Sequence, residues 1–131
     1  MKKGRYKYAF AEVPLYGSGL HIIIADDLAA AYEAAGFPEN KHDMNSYGAW
    51  AWDKMSEQGH GLYALFHPDA SGELVAHEAV HLTNAVFRRC CMKLDLKNDE
   101  PQAYLTGWIA GQIANALASK QLKAHKTITL L

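Results

Sequence analysis

From Ser71 onward the sequence reads as two long helices parted by one polar loop, whereas the part before Ser71 reads mostly as short strands. This partition is the strongest constraint on the fold. Each helix carries an apolar stripe that must be covered, and the strands supply a sheet to cover it. The expected class is therefore α+β: a small domain with an N-terminal, mainly antiparallel sheet and two helices packed together against it. Ser71 or Asp69 can cap the first helix, Glu73 lies in its first turn, and apolar residues continue through Met92. Asn98 or Asp99 can cap the second, with Pro101 in the first turn, where proline is tolerated; the pattern runs to about Lys120.

Upstream, residues 5–13 and 20–25 are rich in Tyr, Phe, Val and Ile and flank Gly17-Ser18-Gly19, which predicts two strands and a turn. Residues 26–35 are Ala-rich behind an aspartate and stop at Gly36-Phe37-Pro38, which predicts a short helix. Residues 38–48 read as a loop. Trp50-Ala51-Trp52 fits a strand or a helix, and Leu62 to Phe66 fits a strand, with a turn at residues 58–61 between them. The tail ends in a short apolar TITLL.

With 131 residues, half of them hydrophobic, the chain suits one domain over residues 1–131 and is too short for most two-lobed enzymes. A net charge of −1 argues against non-specific nucleic-acid binding, which needs a basic surface. The apolar stretches fall short of a membrane span, and the basic tip lacks the apolar run of a signal peptide. Cys90 and Cys91 are the only cysteines and are adjacent; two reduced thiols in a cytoplasmic protein is the expected reading.

Seven histidines leave room for a metal site. Residues 77–81 read His77-Glu78-Ala79-Val80-His81, an H-E-x-x-H on the first long helix. Histidines at i and i+4 leave the same helix face one turn apart, so both imidazoles can reach one Zn²⁺. Glu78 sits about 100° round the helix, where its carboxylate can contact a metal-bound water without ligating the ion. Zinc lowers the pKa of such a water to about 7, and a glutamate can accept its proton. The bland alternative is a pair of hydrogen-bonded core histidines.

The motif resembles that of the zincin metallopeptidases. Their metzincin branch would need glycine and histidine at positions 84 and 87, which here are Asn84 and Phe87. The gluzincin branch takes its third ligand from a glutamate on a later helix, and Glu100 in Asn98-Asp99-Glu100-Pro101-Gln102-Ala103-Tyr104 matches. This segment is similar to the N-D-E-x-x-A-Y of small gluzincin-like proteins, many from phages and bacteria, and the resemblance covers roughly residues 60–118. Asp95 and Asp99 are the alternatives to Glu100. If the first helix ends at Met92, that end lies about 16 Å beyond His81. The connection to Glu100 reaches about 23 Å when extended, so it can return. Ala103, Gly107, Gly111, Ala114 and Ala118 share the stripe of Glu100, and small residues there suit a close helix–helix approach.

The resemblance implies a zinc peptidase acting on a peptide or protein substrate, with His77, His81 and Glu100 as ligands and Glu78 as general base. It also implies an extended substrate along an antiparallel edge strand, for which residues 61–67 are the candidate. Asn84 is a candidate for orienting a ligand. Tyr104 reads as a buried aromatic, or else as a hydroxyl donor to a ligand or the oxyanion. Arg88 reads as a surface charge, the three tryptophans as core, and the remaining histidines as ordinary, with His67 at a strand end the one to inspect. The rivals are a zinc-binding but non-proteolytic partner-binding or regulatory module, a metal hydrolase of other substrates, and an interaction protein with an accidental motif. No nucleic-acid or membrane partner is expected.

Overall fold

A computed structural model describes residues 5–37, 43–119 and 123–124. The TITLL tail, His42 and His125 lie outside them. The fold is α+β. Strands β1 (Arg5–Glu12) and β2 (Ser18–Ala25) form an antiparallel hairpin in which Tyr6 faces Ala25 and Glu12 faces Gly19. The predicted turn falls slightly earlier than expected: Leu15 and Gly17 take φ of 70° and 69°, while Gly19 lies within β2. A Cβ on Gly19 would stand 2.8 Å from the Phe10 ring, so the aromatic side chain occupies the space that glycine leaves.

Helix α1 (Leu28–Ala34) is capped by Asp27, whose Oδ1 accepts from the Ala30 N–H at 3.0 Å. A 3₁₀ turn over Met44–Ser46 interrupts the expected loop. The Trp50-Ala51-Trp52 segment is strand, in β3 (Ala49–Ser56), and a tight turn leads into β4 (Gly59–Phe66). Gly59 has φ of +106°, a conformation that glycine adopts without a side-chain clash. The predicted turn therefore narrows, leaving His60 and Gly61 inside the strand.

The strand order is β3-β4-β2-β1-β5, with β5 at Lys123–Ala124. Pairing is antiparallel except between β2 and β4, which run parallel. The central pair is buried on both faces, which explains its nearly continuous apolar sequence. Leu20, Ile22, Leu62, Ala64 and Phe66 belong to the core cluster shared with the two long helices. Ile23 and Leu65 point oppositely and pack beneath α1.

Helix α2 (Gly72–Arg89) begins at Ser71, whose Oγ accepts from Leu74 N, and carries Glu73 in its first turn and Arg88 and Arg89 in its last. It stops three residues short of Met92. Cys91 takes φ of 55°, and the N–H groups of Cys91 and Met92 return to the carbonyls of Arg88 and Phe87. That bonding closes the helix as a Schellman motif. Helix α3 (Glu100–Ala118) packs on α2 and the sheet through Leu105, Ile109 and Ile113. Thr83 and Thr106 hydroxyls meet at 2.8 Å between the two helices. None of the described helices is long and apolar enough to cross a membrane.

Candidate active site

The 3.6-residue period brings His77 and His81 together on an uncovered face of α2. Their Nε2 atoms are 3.2 Å apart, with ring centroids at 4.8 Å and an interplanar angle of 69°. Two zinc–nitrogen bonds of 2.0–2.1 Å at the tetrahedral angle span about 3.3–3.4 Å. The spacing therefore suits a shared ion, and also suits one imidazole N–H donating to the other ring. Both residues are exposed, so they are not a core pair.

Glu78 differs sharply from its neighbours at 8% exposure. Burial pushes its carboxyl above the ordinary range, while the adjacent His77 and His81 pull it back down. It faces a groove of about 660 Å³ between α2 and β3. Trp50, Trp52 and Asp53 line the strand side, and Glu78, His81 and Arg88 the helix side, over a floor containing Ala49, Ala51 and Ala85. The edge strand beside the motif is thus β3. The expected candidate, residues 61–67, falls in β4 up to Phe66, and β4 pairs with β3 outside and β2 inside, so it has no free edge there.

Glu100 is exposed at the first position of α3. Among the described residues no three His, Cys, Asp or Glu side chains are assembled around a common metal position. The structure thus unites His77 and His81 but does not bring Glu100 into a three-donor group with them. Nor does it bring Asp95 or Asp99: Asp95 Oδ1 accepts from Lys97 N at 2.9 Å, and Asp99 occupies the N-cap without a side-chain cap bond. The small-residue stripe lies elsewhere than expected. Ala103, Gly107, Gly111, Ala114 and Ala118 are exposed, and a Cβ on Gly107 or Gly111 would meet nothing within 4 Å. Thr106, from another face of the helix, makes the polar contact with Thr83 of α2.

Tyr104 is 76% exposed, which overturns its reading as a buried aromatic. Asn84 is half-buried, and its buried Oδ1 has no hydrogen-bond partner among the described residues. His67 Nδ1 accepts from Asp69 N at 3.1 Å and serves the turn into α2. Trp50, Trp52 and Trp108 are half-buried against the two core clusters, and Cys90 and Cys91 are free thiols.

Sequence reading missed the group that holds the groove's far wall. Asp53 Oδ2 is 2.8 Å from His60 Nε2, and His60 Nδ1 is 2.7 Å from Ser18 Oγ. Nε2–H donates to the acceptor-only carboxylate, so in the neutral ring Nδ1 accepts from the serine hydroxyl. Arg88 approaches Asp53 Oδ1 at 3.7 Å, which makes it part of the groove end. Ser18 and His60 are 3% and 4% exposed, so this Ser–His–Asp row buttresses Asp53 from beneath. Only the parallel register of β2 and β4 brings Ser18 opposite His60; no local spacing signals it.

Fold and site together define an α+β domain whose H-E-x-x-H helix borders a groove along a sheet edge. Comparison with protein-family models, with curated proteins and with solved structures gives no match.

Proposed function

We propose that the chain is a zinc-dependent peptidase of gluzincin kind. His77 and His81 are the metal pair, Glu100 the third ligand and Glu78 the general base. The observation that carries this reading is the buried Glu78 carboxyl beside two converging imidazoles, at the mouth of a groove bordered by the edge strand β3. The imidazole pair fits zinc in donor type and spacing. Glu100 enters from the sequence pattern, as the acidic residue opening the helix packed on α2.

When bound, zinc supplies Lewis acidity, activating water and polarising a carbonyl. Glu78 takes the proton of the attacking water and returns it to the leaving amine. Its raised proton affinity suits both transfers. The β3 backbone offers main-chain pairing to an extended peptide, which gives affinity with little demand on sequence. The small floor of Ala49, Ala51 and Ala85 leaves room for substrate side chains. Asn84, one turn beyond His81 with an oxygen unpartnered among the described residues, is suited to orienting a ligand, and the exposed Tyr104 can donate its hydroxyl. Two free thiols support a reducing, cytoplasmic setting.

Metal analysis and a peptide library test the reading together. The protein purified without chelator should carry zinc and cleave peptides, and Glu78→Gln should keep the metal while losing about 100-fold or more of the rate. Full activity in Glu78→Gln refutes the mechanism. Zinc without Glu78-dependent cleavage of any peptide favours the non-proteolytic binding module instead.

A further inference from the structure

A second cavity, of about 300 Å³, opens at the other face of the sheet near the start of β2 and β4. His21 and Tyr63 line it, and strand alternation sets them opposite Leu20 and Leu62, which join the α2–α3 core. His21 is 2% exposed, with Tyr63 stacked at 4.7 Å and 9° and Phe10 tilted at 5.1 Å. Its Nδ1 is 2.6 Å from the Tyr8 hydroxyl. Its Nε2 has no hydrogen-bond partner among the described residues and lies beside Gly19, where an added Cβ would come within 3.8 Å. A nearly buried polar ring thus presents an unused nitrogen at a cavity wall.

The charge of that wall is one-sided. Glu12 lines the cavity with Ser56 and Gln58 at its rim; no lysine or arginine is among the described lining residues, and the second lining histidine, His60, is engaged by Asp53 and Ser18. Burial lowers the proton affinity of His21, which favours the neutral ring.

We infer that this cavity binds a small planar organic cation of the amidinium or aryl-ammonium class, held by Glu12, the Phe10 ring and the free nitrogen of His21. The partly exposed Phe10 ring attracts a cation through its quadrupole, whereas Tyr63, stacked between His21 and Trp52, serves as a wall; the carboxylate adds a charge-assisted hydrogen bond. The ligand N–H donates to Nε2. The neutral tautomer that permits this carries its proton on Nδ1 and donates it to the Tyr8 oxygen. The volume lies at the lower end for small-molecule sites and suits a single ring with a short polar group. The inference is independent of the peptidase reading, since His21 and Glu12 take no part in it.

Benzamidinium is the probe, with neutral benzamide and anionic benzoate as isosteric controls, each titrated into the intact chain by NMR. Benzamidinium should shift Phe10, His21 and Tyr63 saturably and bind about tenfold or more tightly than either control. Long-range ¹H–¹⁵N spectra should show His21 moving to the Nδ1–H tautomer. Glu12→Gln, an exposed substitution, should reduce benzamidinium affinity to the level of benzamide. Equal binding of the three probes, shifts confined to other residues, no saturable shift, or an unchanged Glu12→Gln variant would overturn the inference.

Discussion

The burial of His21 has a consequence for stability as well as for the cavity. Tyr8 and Glu12 of β1 and Tyr63 of β4 are the titratable groups around it, and desolvation is what lowers its pKa. In the unfolded chain a histidine titrates near 6.5. Below that pH the unfolded state binds a proton that the folded state refuses, so stability falls as pH falls. The loss levels off once the pH drops below the lowered folded value. Replacing His21 with Gln should flatten the stability profile in that window relative to the wild type, as read by urea unfolding at pH 7.5 and pH 5.5. An unchanged slope would show that His21 is protonated equally in both states. At this scale legibility follows sequence distance. His77, Glu78 and His81 are readable because one helical turn sets their geometry. The Ser18–His60–Asp53 row is not, because a strand pairing across 42 residues makes it.

The elements were legible where local chemistry agreed with the tertiary environment. Ser71, Glu73 and the periodic apolar residues specify α2, and alternation with turn residues specifies the hairpins. The end of α2 was harder to read. The apolar pattern runs to Met92, but the last of those residues cover the end of the helix instead of extending it. Cys91 carries that closure in the left-handed region, where a side chain is strained by about 1–2 kcal/mol. Cys91→Gly relieves the strain and loses some of the gain to unfolded-state entropy, so it should stabilise the protein by about 0.5–1 kcal/mol. Chemical denaturation measures this directly, and a destabilised variant would show that the thiol has packing worth more than the strain. The stripe on α3 misled for a related reason. Small residues at regular spacing permit close helix packing, but they do not say which neighbour, if any, arrives.

At the scale of the whole molecule, the edge position of β3 is what separates a groove from a buried interface, and it depends on the order of the five described strands. Residues 61–67 carry the stronger strand pattern, yet that strength reflects burial on two faces, which is the mark of an interior strand. The proposed metal site also links the molecule's parts, since its ligands lie on α2 and α3. An ion bound only by the folded chain stabilises it by about 2.7 kcal/mol when present at a hundred times its dissociation constant. Zinc added to the metal-free protein should therefore raise the melting temperature, and chelation should reverse the rise. His77→Ala and His81→Ala should each abolish the shift. Glu100→Gln decides the third ligand: as a ligand it reduces the zinc-dependent shift strongly, while Asp95→Asn and Asp99→Asn leave it intact. If Glu100→Gln responds to zinc like the wild type, α3 contributes packing alone and the ion is held from α2 by the imidazole pair.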